Sequence, residues 1–221
     1  MLEYMLGSAG GDHCAPAHEA MLQYAKERLR KRSPQEVALA AGVEFDETAS
    51  AFRFESLGQK IAVGYPTQGA VFAETGETPY WAWHLVMLHY LDVADGAPLG
   101  AEQISFRELQ GGVVRGTGFD SDSARTIGNL FGREPVENIK TACEALGAVF
   151  QKSNADLCAV FPFLPRYPVT MQIWLADDEL EGTGRMLLNQ RAAHYLTVED
   201  AVVAGSTLLE FLTHQYERMF P

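Results

Sequence analysis

Hydrophobic positions along the chain fall into three kinds of block. The first has no polar face at all. From Trp81 to Leu91 nearly every residue is apolar or aromatic, and two of the three tryptophans lie here. Thr78 is a good N-cap, Pro79 suits a first helical turn, and Asp95-Gly96 can close the helix. The pattern predicts a helix between those marks, and a helix without a broad polar side belongs in the interior.

The second kind alternates with period two. Ala51–Glu55 and Lys60–Tyr65 read as strands joined at Leu57-Gly58-Gln59, with Ala70–Ala73 as a third. In the second half, Ala148–Lys152 and Asp156–Phe161 read as a hairpin across Ser153-Asn154-Ala155. Pro162, Pro165 and Pro168 then predict an irregular extended turn. Val169, Met171, Ile173 and Leu175 form the apolar side of the next strand, and Arg185–Asn189 is a shorter one.

The third kind has helical spacing. It covers Ala15–Arg32, with Met21, Leu22, Ala25 and Leu29 on its apolar side, and Pro34–Ala41, stopped at Gly42. It also covers a helix from Asp120 or Ser121 to about Gly132, and one from Glu134-Pro135 to Gly147. The last helix opens at the capping pattern Thr197–Asp200. Residues 1–12 are small and glycine-rich and read as loose, and Gly111–Gly118 reads as a connection. The sum is an α+β fold: antiparallel β segments packed on a buried central helix, with peripheral helices. No Pro/Ser-rich linker interrupts residues 1–221, which favours a single domain.

Composition narrows the function. With 47% apolar and 21% charged residues this is a folding chain. A net charge of −12 disfavours nucleic acid, because phosphate binding needs clustered lysine and arginine. The basic run Arg28, Arg30, Lys31 and Arg32 reads as a complement to its own helix dipole. No stretch reaches the ~20 apolar residues of a membrane span. Three cysteines, Cys14, Cys143 and Cys158, without CxxC spacing and with no visible signal peptide, predict a reducing, cytoplasmic setting.

Candidate chemistry is sparse. His13, Cys14 and His18, with Glu19, are suitable metal ligands, although a helix puts His13 and His18 on different faces. His84 and His89 lie on the central helix. His89 stands over Asp92 as an orientable imidazole, against the commoner reading of a hydrogen-bonded core histidine. The glycine run lacks a phosphate-loop ending. Leu164-Pro165-Arg166 can hold an arginine on a rigid turn, with Trp174 and the acidic run Asp177–Glu181 downstream. That run can hold a divalent cation or simply be a solvated turn. Arg107 joins this group if the two β-rich halves pack face to face.

Residues 88–112, from Leu88-His89-Tyr90-Leu91-Asp92 to Gln110-Gly111-Gly112, the stretch from Leu164-Pro165-Arg166 through Trp174 to Asp177-Asp178-Glu179, and Tyr195-Leu196 with Glu199-Asp200 together resemble an uncharacterised family of anaerobic bacteria and archaea, known as a domain of unknown function. The resemblance spans roughly Gln35 to Leu212. Some members carry a four-cysteine iron–sulfur module similar to that of corrinoid iron–sulfur proteins, a module this chain lacks. Ala176-Asp177-Asp178-Glu179-Leu180 stands where the family has Gly-Asp-Glu-Glu-Phe, and Asn189 where it has aspartate. A carboxylate metal site there would be weakened in this chain.

The leading expectation is a non-catalytic accessory or ligand-binding domain. Its cleft would be bounded by His89, Arg107, Arg166 and Trp174 and take an anionic small molecule. The resemblance implies an iron–sulfur or corrinoid setting, with a redox or corrinoid protein as partner. The rivals are a metal-dependent enzyme using His13, Cys14 and His18, and a structural homodimer.

Overall fold

The computed structural model describes Met5, residues 16–66 and residues 68–221. The chain runs α1 (Pro16–Leu29), α2 (Pro34–Ala41), β1 (Glu44–Asp46), β2 (Ala51–Ser56), β3 (Gln59–Gly64), β4 (Gly69–Phe72), α3 (Trp81–Val93) and β5 (Gln103–Ile104). A short 3-10 turn, Phe106–Glu108, leads to α4 (Gly112–Phe131) and α5 (Val136–Glu144). Then come β6 (Val149–Phe150), β7 (Leu157–Leu164), β8 (Tyr167–Trp174), β9 (Thr183–Asn189) and α6 (Val198–Met219). The fold is α+β. Among the described residues, no helix is long and apolar enough to cross a membrane.

Strands β1 to β4 form one antiparallel sheet in chain order. Its β2–β3 hairpin turns on Leu57 (φ 49°) and Gly58 (φ 72°). Two successive positive φ values give the turn whose twist matches that of the flanking strands. Along β2, Phe52, Phe54 and Ser56 are buried while Arg53 and Glu55 are exposed, as the alternation requires. The second sheet, also antiparallel, has the order β5-β9-β8-β7-β6. The expected irregular proline turn is not there. β7 and β8 form a tight hairpin with Pro165 and Arg166 at its tip, and Pro162 and Pro168 lie within the strands. A register shift between Phe161 and Leu164 accommodates the prolyl residue, which has no N–H to give to the ladder.

Helix α3 lies between α1 and α6 and against β4 of the first sheet, its Tyr90 reaches the β7–β8 hairpin tip, and ten of its thirteen residues are buried. Its side chains belong to one contiguous apolar cluster that also takes in Phe52, Ile61, Phe161 and Met171 from the two sheets. Ser56 is the polar junction of this core. Its hydroxyl accepts the indole N–H of Trp83 at 3.0 Å and donates to the carbonyl of Phe163. The next residue, Leu57, donates its N–H to Pro162 O at 3.0 Å. The two sheets and the central helix are therefore tied at one point.

Both ends of α3 differ from expectation. Tyr80, not Thr78, is the extended cap residue, and no side chain caps it. The helix stops at Val93, before Gly96, because Arg32 of the segment after α1 reaches its final carbonyls. The guanidinium donates to Leu91 O at 3.1 Å, to Ala94 O at 3.2 Å, and to Asp92 O. Arg28 pairs with the Asp92 carboxylate at 2.6 Å. Arg28 and Arg32 of the basic run thus serve the C-terminal end of α3.

Gly111–Gly118 is the start of α4 and not a connection, apart from Gly111 itself (φ 81°) at the helix entry. A Cβ on Gly116 would lie 2.3 Å from the Phe106 backbone, and one on Gly128 2.1 Å from Gly182 O. These glycines let α4 press its backbone against the 3-10 turn and against the loop before β9.

Candidate functional site

The two histidines of α3 have different roles. His84 Nε2 accepts the N–H of Ala70 at 2.9 Å, at the start of β4. The ring is 6% exposed. Burial, helped by the nearby Lys26 ammonium, pushes its pKa down from 6.5 to about 4. His84 is therefore a neutral structural acceptor, the commoner of the two readings. Because its folded value lies below its unfolded one, the unfolded chain binds more protons between pH 6.5 and 4. Stability is complete above pH 6.5 and declines as pH falls toward 4. Denaturant unfolding should show a loss of about 2 kcal/mol between pH 7.5 and 5. A His84→Gln variant should lack that part of the slope, and an identical pH profile in the variant would contradict the assignment.

His89 faces the partly exposed strip of α3. Its orienting partner is Asp200 in the first turn of α6, with Nδ1 to Oδ1 at 2.6 Å. It is not Asp92, whose carboxylate Arg28 occupies. Thr197 caps α6 by accepting the Asp200 N–H at 3.2 Å and donates its hydroxyl to Asp200 Oδ2 at 2.8 Å. Burial alone would raise the Asp200 carboxyl; the bonds and charge from His89 and the Thr197 bonds outweigh it and hold the group below its ordinary value. Tyr167 is close enough to Asp200 that burial and this carboxylate both push its phenol upward. Its hydroxyl is buried and unpartnered among the described residues.

Arg166 sits at the tip of the β7–β8 hairpin. Its backbone N–H donates to the Tyr90 hydroxyl at 3.0 Å, and its guanidinium to Gly96 O at 3.1 Å. The arm crosses Gly42, where a Cβ would lie 2.6 Å from Arg166 Nε. Gly42 also takes φ 67° at the end of α2, so glycine is needed there twice over. Arg166 and Arg32 line one cavity of about 510 Å³ with Glu36, Leu39, Ala40, Asp95 and Gly96. Asp95 is already engaged, by His194 Nδ1 at 2.7 Å and the Ala97 N–H at 2.9 Å, and the His194 bond leads in holding its carboxyl low.

Trp174 ends β8 on the far side. Its indole donates to Asn154 O at 3.2 Å, and the Arg185 guanidinium lies 5.7 Å from its ring centre. Exposed Arg107 gives its backbone N–H to Asp120 at 3.1 Å. Hydrogen bonds from Ser105, then the charges of Arg107 and Arg185, hold the neighbouring Glu108 carboxyl low. The four expected cleft residues have separate partners. Trp174 has Arg185 over its ring, Arg107 is exposed beside Asp120, His89 is held by Asp200, and Arg166 is held by Tyr90 and Gly96. Arg166 immediately precedes β8 and Trp174 is its eighth and last residue, a separation of roughly 25 Å of strand. One small-molecule cleft does not span them.

His13 and Cys14 lie outside the described residues, as does the His18 side chain. Among the described residues there is no group of three or more metal-ligating side chains. The acidic run is a turn: Asp177 Oδ1 accepts the N–H groups of Glu179 at 2.8 Å and Leu180 at 2.7 Å, which hold its carboxyl low. Asn189 accepts from Gly100 N–H at 3.0 Å and donates to Gly100 O at 2.8 Å, a pair of bonds that an aspartate could not make. Sequence reasoning missed Arg32 as a cavity residue, His194 as the partner of Asp95 and Asp200 as the partner of His89. Only Asp200 had a local signal, the capping pattern that begins at Thr197.

The chain matches no curated protein and no solved structure. A family model does match, over residues 33–210, a span that includes the hairpin tip, the His89–Asp200 pair and the cavity residues other than Arg32. The chain belongs to the family described as Domain of unknown function (DUF3786).

Proposed function

We propose that this protein is a non-catalytic ligand-binding or accessory domain, in the iron–sulfur or corrinoid setting that the sequence resemblance implies. Its ligand is a small anion held between Arg32 and Arg166. The observation that carries the reading is the state of those two arginines. In a chain with 29 acidic and 17 basic residues, both guanidiniums line one cavity. Among the described residues neither is in an ion pair; carbonyl oxygens hold them instead. Neutral acceptors fix the position of each guanidinium, and of the two carboxylates that share the cavity, Glu36 and Asp95, the second is engaged by His194; positioned guanidiniums are the preparation that recognition of a carboxylate or phosphate needs.

Isothermal titration with inorganic phosphate and a panel of small mono- and dicarboxylates tests this. At least one anion should bind, and Arg166→Ala should weaken it by about tenfold or more, the value of a charge-assisted hydrogen bond. No binding across the panel, or unchanged affinity in the variant, would reject the site.

A further inference from the structure

A concavity of about 700 Å³ lies away from that cavity, between α4 and α6. The helices run side by side, with Phe119 against Gly205 and Phe131 against Tyr216. Val114, Phe119 and Leu209 give the groove apolar walls, and Arg115, Asp122 and Glu210 stand among its lining residues. At its mouth Val113 and Val114 are 77% and 82% exposed, an arrangement a solvated helix end does not require.

Gly118 stands on the same stripe. The other glycines of α4 are accounted for within the chain: a Cβ on Gly112, Gly116 or Gly128 would strike backbone. A Cβ on Gly118 would meet nothing within 4 Å. A mid-helix glycine costs roughly 0.5–1 kcal/mol relative to alanine, and no intrachain contact repays it here. Its use is the close approach of something from outside.

We propose that the occupant is α4 of a second copy of this chain, crossing antiparallel at Gly118 about a two-fold axis. Residues 115, 118 and 122 share one helix face, being three and four apart. Arg115 lies about 4.5 Å along the axis on one side of Gly118 and Asp122 about 6 Å on the other. The two-fold therefore sets Arg115 of each copy against Asp122 of its partner, with Glu210 on the facing α6 wall of the groove. Neither Arg115 nor Glu210 is in an ion pair among the described residues. Asp122 has only an exposed bond to Arg125 three residues on, a kind that contributes little. The same contact lays Val114 of each copy along the apolar wall of the other, in a self-complementary interface.

Sedimentation velocity on the full chain at up to ~100 μM tests the assignment, since interfaces of ordinary size bind at micromolar or tighter. The wild type should sediment as a dimer. Arg115→Asp and Asp122→Arg, each placing like charges across the axis twice, should each raise the dissociation constant at least ~tenfold. The double variant should restore it. Gly118→Leu, which has free space in the single chain, should stay folded by circular dichroism and become monomeric. A monomeric wild type, a dimer that survives Gly118→Leu, or a double variant as weak as its parents would each overturn the proposal.

Discussion

Trp83→Ala lowers the free energy of unfolding by about 3–5 kcal/mol, the range for truncating a large buried aromatic residue. Trp83 is 0% exposed, and its ring packs against Phe211 at 5.3 Å and Phe72 at 5.8 Å between ring centres. Alanine leaves a cavity among side chains already held by the rest of the core, so collapse is incomplete. It also removes the donor from the hydroxyl of Ser56, the junction of both sheets. Trp83→Phe keeps most of the volume and loses mainly the hydrogen bond, so it should cost less, about 1–3 kcal/mol. Urea unfolding followed by far-ultraviolet circular dichroism, with the slope compared as well as the midpoint, measures both. A loss under ~1 kcal/mol in Trp83→Ala, outside that range, would mean that α3 is not the centre of the core.

The second large effect inverts an ordinary rule. Glycine to alanine within a helix usually stabilises, by roughly 0.5–1 kcal/mol. Gly118→Ala should follow that rule in dilute, monomeric protein, because its new methyl has open space. Gly116→Ala, two residues earlier, should destabilise by about 2–3 kcal/mol. Its methyl would lie 2.3 Å from the carbonyl carbon and oxygen of Phe106 and 2.5 Å from the nitrogen of Arg107. All three are backbone atoms, and the turn that carries them is fixed by Asp120, which accepts the N–H groups of Phe106 and Arg107 at 3.1 Å each. Thermal unfolding of the two variants side by side is the check; equal signs would show that α4 does not press on the 3-10 turn.

These positions also show how far a single sequence can be read. Helix α3 was legible because a segment apolar on every side has one place to go, whatever its neighbours are. The β2–β3 hairpin was legible because alternation and a Leu57-Gly58 turn are local. The start of α4 was not: its glycines answer to Phe106, Arg107 and Gly182, and no spacing within the helix names those contacts. Read locally, the same glycines look like a loop. The partner of His89 was misplaced for a similar reason. Asp92 is three residues away on the same helix, whereas Asp200 comes from the far end of the chain and leaves only a capping pattern as a trace. The separation of two of the expected cleft residues was itself in the sequence. Arg166 and Trp174 flank one alternating segment, and strand rise alone separates them. The short edge strands β1 and β5 have only three and two residues, too few for a period to show.

The placement of two cysteines bears on what the described residues leave open. Cys143 is fully enclosed, and burial raises its thiol to about 12; Cys158 is 5% exposed on the β7 strand beside Gln172. Alkylating reagents act on accessible thiolate, so whatever such reactivity the folded chain has belongs to Cys14. Carboxymethylation counted by mass spectrometry, with and without zinc, then becomes a one-residue reporter for the amino-terminal His13, Cys14 and His18 group, and no cysteine need be mutated to use it.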